Sequence, residues 1–267
     1  MLQLQIETIA ACNARCVFCT YPTMRRARGR MTDEVYSKVL TDAVDLSMFI
    51  GRIYLQGLGE PLMDKAIAER VFLARQVLPQ VPVSLYTNGS GLDAATIAQL
   101  AGAGLSELVV SLTGTTKEQR EGAMGLSDFD EVVRWTDHAR RLIPTRVKLI
   151  LSRDLIEDPN LDTERFRERW GSDAMITYEG NWAGELTKFR GAPHKEACHR
   201  AMEQLMVLWN GDVALCCFDG EGEMTFGNVK DQTLREIWES PERTRVRELH
   251  RAGRRAEVPL CKGCTGI

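Results

Sequence analysis

The feature that most constrains this chain is a repeated exchange of short aliphatic or β-branched runs with amphipathic helical segments. Runs at residues 2–8, 52–56, 81–86, 107–112, 146–151 and 174–177 read as strands. One helical pattern opens at Thr32, an N-cap followed by Asp33 and Glu34, with Val35, Val39, Leu40 and Val44 on one face. Others cover residues 65–77, 93–103 and 129–142. Parallel strands need long crossovers, so this spacing predicts an α/β chain with a parallel sheet and helical crossovers. Six such units are too few for a closed eight-stranded barrel, which leaves an open, partial barrel or a doubly wound sheet.

After about residue 180 the pattern changes. Segments 204–209 and 212–216 flank Asn210-Gly211, a dipeptide suited to a tight hairpin because both positions tolerate positive φ. A further helix starts at Ser240-Pro241, with Ser as cap and Pro at the first helical position. The expected organisation is a barrel over residues 1–180 and a small α+β unit over residues 181–267.

Composition removes several functions. The 267 residues allow a sizeable core, and 44% hydrophobic with 27% charged residues is the balance of a globular protein. A net charge of −3 argues against a polyanion binder. The basic runs at 25–30 and 243–255 lack interleaved aromatic residues, so they read as loop anchors and solvated helix faces, and no nucleic acid is expected as a partner. No apolar stretch has the length of a membrane span and no export pattern opens the chain, so the expected location is cytoplasmic.

Reduced thiols are the rule in that compartment, yet there are eight cysteines, and they fall at the two ends. Cys12, Cys16 and Cys19 form a C-x3-C-x2-C motif just after the first strand; Cys198, Cys216, Cys217, Cys261 and Cys264 lie in the last third. Such clustering points to metal or redox chemistry. Three thiolates can hold a cubane [4Fe–4S] cluster while leaving one of its four irons open. An open iron can chelate the amino and carboxylate groups of S-adenosylmethionine (SAM), and an electron then splits the sulfonium to release a 5′-deoxyadenosyl radical. Structural zinc wants four ligands, and the nearest histidine in sequence is His138. Cys198, Cys216, Cys261 and Cys264 can fully ligate either a second [4Fe–4S] cluster or a zinc ion. Cys216 and Cys217 compete for one position, because adjacent strand residues point to opposite faces.

The first motif, with Phe18 before its last cysteine, resembles the signature of the radical SAM superfamily. The resemblance implies a partial (β/α)6 barrel with a SAM-binding [4Fe–4S] cluster on Cys12, Cys16 and Cys19 at its C-terminal mouth, and Phe18 beside the adenine. Gly57-Leu58-Gly59-Glu60-Pro61 is similar to the family's G-G-E-P loop, which implies Gly59 and Glu60 at the SAM ammonium. Tyr86-Thr87-Asn88-Gly89 is similar to its T-N-G and puts Asn88 near SAM. Ser111-Leu112-Thr113-Gly114 is similar to its S-L-D-G, with Thr for Asp. Ser111 and Arg120 are thereby candidates for the ribose and carboxylate; Ser152 is a weaker one.

The C-terminal third resembles the SPASM/twitch extension of that superfamily, through Cys198, the 207–216 segment, 226–229, 234–238 and the closing Cys261-x2-Cys264. This implies one auxiliary [4Fe–4S] cluster, with Cys216 preferred over Cys217. A fully ligated cluster can accept an electron, so hydrogen abstraction, deprotonation and electron loss would sum to dehydrogenation. Overall the motifs are most similar to members that dehydrogenate an amino sugar or cyclitol, with flavodoxin or ferredoxin as an external electron donor. A peptide-modifying maturase is the alternative, and a non-catalytic iron–sulfur or zinc-binding protein the second. The acidic loop of Asp219, Glu221 and Glu223 reads as a solvated turn, or else as an attractor for an amine-bearing substrate.

Overall fold

A computed structural model describes residues 1–151, 159–188 and 196–265; Ser152 lies outside them. In chain order the elements are β1 (Leu2–Ile6), α1 (Asp33–Val44), β2 (Ile50–Leu55), α2 (Ile67–Val77), β3 (Val83–Thr87), α3 (Ala94–Gly102), β4 (Glu107–Ser111), α4 (Lys117–Met124), α5 (Phe129–Ala139), β5 (Thr145–Leu151), α6 (Pro159–Trp170) and β6 (Ala174–Tyr178). There follow α7 (His199–Glu203), β7 (Gln204–Val207), β8 (Asp212–Ala214), β9 (Thr225–Asn228), α8 (Leu234–Glu239) and α9 (Pro241–Arg251). All six expected strands form, and each pairs in parallel with its sequence neighbour. Thr32 and Asp93 cap their helices by accepting from Val35 N and Thr96 N.

The sheet runs β6-β5-β4-β3-β2-β1-β7-β8-β9, with β6 and β9 as separate edges. Among the described strands it does not close, so the arrangement is an open barrel and not a doubly wound sheet. The hairpin is less detached than its sequence suggests. Strand β7 pairs in parallel with β1, and β8 and β9 continue antiparallel from it, so the C-terminal third extends the barrel sheet. The physical reason is that β1 has a free edge once the barrel stays open, and an unpaired edge takes a partner.

The strands have two different faces. Leu4, Ile6, Ile53, Leu55, Leu85, Leu108, Val110, Val147 and Leu149 are fully buried and pack with Val39, Val71, Ile97, Leu100 and Val132 of the surrounding helices. Truncating one such leucine to Ala costs about 2–5 kcal/mol. The alternate positions, on the concave face, carry Gln5, Tyr54, Ser84, Tyr86 and Lys148. A strand buried on both sides should be apolar on both, so this polar lining marks the concave face as a working surface.

Candidate active site

Because the strands are parallel, the loops after β1, β2, β3 and β4 converge at one end of the barrel. The cysteine loop after β1 is pinned from two sides. Glu60 N donates to Ala11 O (2.8 Å), while Arg15 N and Val17 N donate to Met124 O and Ala123 O at the end of α4. Gly59 permits the first contact: a Cβ there would stand 2.0 Å from Ile9 O and 3.0 Å from Ala11 N. Glu7, fully buried below the loop, accepts from Arg26 (2.6 Å), Leu58 N (3.1 Å) and Trp209 N (3.3 Å). The basic run thus anchors loops: Arg25 pairs with Glu221 and Glu223, and Arg30 with Asp64.

Cys12 and Cys19 pack near Leu58, Tyr21 and Trp182, and Cys16 near Phe18, Ala123 and Met124. Burial pushes the Cys12 and Cys16 thiols up, and Cys19 to about 12; for Cys16 the neighbouring Cys19 and Cys12 add to the effect. Bare thiolates are therefore disfavoured here, and a bound multivalent cation supplies the charge that ionises them. Among the described residues no three Cys, His, Asp or Glu side chains meet closely enough to hold one ion. The donor set, three soft thiols spread around a loop, suits a multi-iron cluster capped at separate irons. Thr20 Oγ1 and Thr113 Oγ1 beside these loops are buried with no partner among the described residues, and polar groups of that kind ask for a ligand. Thr113 also sits in the left-handed region (φ 51°), so the turn after β4 is strained.

The other sequence candidates reach the same end of the barrel, with roles the structure sharpens. Glu60 Oε1 accepts from Thr87 Oγ1 (2.6 Å) and Leu62 N (3.1 Å), and Oε2 from Asn88 N (2.7 Å). It thereby ties the loops after β2 and β3 together and keeps part of one oxygen's capacity for a cation. Burial raises its pKa against those three donors. Asn88 donates to Asn13 Oδ1 (2.7 Å) in the cysteine loop. Ser111 stands opposite Lys148 in the β4–β5 register. Phe18 is buried, and its carbonyl accepts from Trp182 Nε1 (2.6 Å). Arg120 departs from expectation. It is fully buried, donating to Asp128 (2.8 Å), Asn88 O (2.9 Å), Leu112 O (3.2 Å), Ser111 O and Ser90 Oγ. A guanidinium with its donors committed is a strut between the β3 and β4 loops and has no fork to offer a carboxylate.

The second thiol set forms a pocket. Cys198, Cys216, Cys261 and Cys264 line it together with Arg200 and Arg255. Cys217 points away, packing with Met206, Leu208 and Ala214, and its N–H donates to Gln204 Oε1 (2.8 Å). Burial pushes Cys216 well up and Cys261 to about 12, with Arg255 opposing the rise at Cys261. Four thiols with two guanidiniums beside them fit a cluster carrying net negative charge. Asn181 closes the pocket, donating to Gly263 O (2.7 Å) and accepting from Thr265 N (2.9 Å).

Two residues passed unnoticed in the sequence. Trp182 stacks on Phe218 (centroids 5.1 Å apart) while holding Phe18 O, so one aromatic pair joins the two cysteine sites. No periodic pattern marks it. Lys148, by contrast, left a trace: it stands between Val147 and Leu149 in a strand whose alternate positions Thr145, Val147, Leu149 and Leu151 are buried. The acidic loop is solvated only at Glu223, which is exposed; its other two carboxylates are engaged within the protein. Asp219 is buried and accepts from Glu223 N and Met224 N, and Glu221 accepts from Arg25 N and Arg26 N.

An open α/β barrel with three thiols at its mouth and four more in an adjoining pocket defines an iron–sulfur enzyme of the SAM-cleaving class. The family models agree: the Radical SAM superfamily matches residues 6–154, and the SPASM iron–sulfur cluster-binding domain matches residues 198–265. The chain belongs to the radical SAM superfamily. Membership brings SAM, the cluster that binds it and an auxiliary [4Fe–4S] cluster. Over 267 residues, 99% of this chain and 92% of the relative, it is 22% identical to the S-adenosyl-L-methionine-dependent 2-deoxy-scyllo-inosamine dehydrogenase of Niallia circulans. It is 24% identical to the mycofactocin maturase MftC of Mycobacterium ulcerans, spanning about half (54%) of that protein and using 78% of its own length. In fold it is similar to BtrN in complex with AdoMet and 2-DOIA, with a TM-score of 0.75, 21% identity, and coverage of 100% of this chain and 94% of that one. No helix among the described residues is long and apolar enough to cross a membrane.

Proposed function

We propose that this enzyme dehydrogenates a small hydroxylated molecule of the amino sugar or cyclitol class. The observation that carries the reading is the pairing of two thiol sets with different capacities, three against four, joined through Trp182 and Phe218. When bound, the three-cysteine cluster and SAM supply a 5′-deoxyadenosyl radical, and the auxiliary cluster supplies an electron acceptor.

In this reading Cys12, Cys16 and Cys19 hold the first cluster. Glu60 and the Gly59 backbone orient the SAM ammonium, with Asn88, Ser111 and Phe18 around the nucleoside. Arg120 keeps the β3 and β4 loops in register beneath it. Cys198, Cys216, Cys261 and Cys264 hold the second cluster, so residues 1–180 carry the abstraction and residues 181–267 the acceptor. The substrate sits on the concave face, where Tyr54, Tyr86 and Lys148 can orient hydroxyls. Flavodoxin or ferredoxin delivers the initiating electron in a cytoplasmic setting. Full-length likeness to a dehydrogenase supports a small molecule over a peptide.

Anaerobic reconstitution with dithionite, SAM and 2-deoxy-scyllo-inosamine tests this. The expected results are about eight irons per chain and a ketone formed with 5′-deoxyadenosine. The Cys261→Ala/Cys264→Ala double variant should keep 5′-deoxyadenosine formation and lose the ketone. A double variant that still makes the ketone overturns the role of the second site.

A further inference from the structure

We propose that Lys148 is the base that takes the hydroxyl proton of the substrate, an assignment that rests on the dehydrogenase reading above. Val147 and Leu149 are fully buried against the helices, so Lys148, between them on β5, points to the concave face. Its register partners are Ser111 on β4 and Met175 on β6. Ser111 begins the turn at the SAM end of the barrel, whereas the Cys217 that faces Lys148 adjoins Cys216 of the second pocket. Lys148 therefore stands on the span between the two thiol sets, where a molecule must lie to give a hydrogen atom to one side and an electron to the other.

Lys148 is half-buried. The ring of Tyr86 on β3 lies 5.9 Å away, and the charged or titratable groups facing it are Cys217 and Arg200 of α7. No carboxylate pairs with Lys148 among the described residues; the group of opposite sign that acts on it is the Cys217 thiol. Burial lowers its pKa, the Cys217 thiol opposes that with a smaller effect, and Arg200 adds a weaker push downward. Burial disfavours the ammonium form, so the Lys148 amine gives up its proton more readily than that of an exposed lysine.

The carbinol carbon gives a hydrogen atom to the 5′-deoxyadenosyl radical, the hydroxyl proton passes to Lys148 Nζ, and one electron leaves to the auxiliary iron–sulfur centre. The C–O bond becomes C=O, and the ammonium returns its proton to water. Removing the proton before or with the electron matters because a neutral hydroxyalkyl radical is a weaker reductant than its anion.

Lys148→Met keeps the aliphatic stem and deletes the amine. With 2-deoxy-scyllo-inosamine, ketone formation should fall about 10²-fold or more. The 5′-deoxyadenosine yield and deuterium transfer from labelled substrate should persist. Ketone per 5′-deoxyadenosine should rise with pH in the wild type through an apparent value below that of ordinary lysine, and be flat in the variant. Propylamine should partly restore Lys148→Ala, a rescue that a purely structural lysine would not show. Independently of turnover, 13C reductive methylation of the reconstituted protein should reveal one lysine resonance, absent in Lys148→Met, titrating below about 10.4. Unchanged coupling in Lys148→Met, or a Lys148 resonance titrating at the ordinary value, overturns the assignment. Absence of ketone in the wild type with SAM cleavage intact counts against the substrate class instead, and the titration then decides Lys148 alone.

Discussion

Gly59→Ala is the sharpest probe of how the cysteine loop is held. The new methyl would lie 2.0 Å from Ile9 O and 2.7 Å from Ile9 C, both backbone atoms, with Ala11 N at 3.0 Å. A flexible side chain could swing aside; a pinned backbone must be displaced. Overpacking of this kind costs about 1–3 kcal/mol. The displacement also stretches the 2.8 Å bond from Glu60 N to Ala11 O, worth roughly 0.5–1.5 kcal/mol. The sum, about 1.5–4.5 kcal/mol, corresponds to a fall in Tm on the order of 3–9 °C for a chain of this size. Cysteines 12, 16 and 19 lie on the displaced loop and the second set does not, so iron should drop from about eight to about four per chain. SAM binding should be lost with it. Gly102→Ala is the control: nothing lies within 4 Å of its added Cβ, and a helical Gly-to-Ala change should be neutral or stabilising by up to about 1 kcal/mol. A Gly59→Ala protein with full iron, unaltered Tm and normal SAM affinity would refute the packing argument.

Three further outcomes are expected. Cys216→Ala should cost the auxiliary iron while Cys217→Ala retains it, measured by iron content and electron paramagnetic resonance, because only Cys216 lines the pocket. Arg26→Met should destabilise by about 3–5 kcal/mol in denaturant titration, since it strands the fully buried Glu7 carboxylate with only two backbone donors; a loss below 1 kcal/mol would show that Glu7 is solvated or neutral. Glu236 is depressed by the hydrogen bond from Thr233 N in the α8 capping box. Its folded pKa lies below the unfolded one, so its contribution is present above about pH 4.3 and lost as pH falls through the folded value. Urea midpoints of wild type and Glu236→Gln should therefore differ at pH 7 and converge toward pH 3.

The sequence by itself determined what is encoded locally. Period-two and helical runs give β1 to β6 and their crossovers, Thr32 and Asp93 announce their caps, and short cysteine spacings gather thiols that only a metal site would want together. Each signal acts over a few residues, where backbone geometry and side-chain chemistry suffice. Contacts over long separations were decided by the tertiary structure alone. The pairing of β7 with β1, about three quarters of the chain apart, required knowing that the barrel stays open. Cys216 was already preferred over Cys217 on the resemblance, and the structure adds that Cys216 lines the pocket while Cys217 packs against Met206, Leu208 and Ala214. Arg120 looked like a free cation until the carbonyls of Asn88 and Leu112 surrounded it. Trp182 means nothing until Phe18 and Phe218 come to it from residues far apart. Which partner a side chain finds is set by how whole elements pack, because burial and opposing charge are properties of the assembled surroundings and not of the residue that carries them.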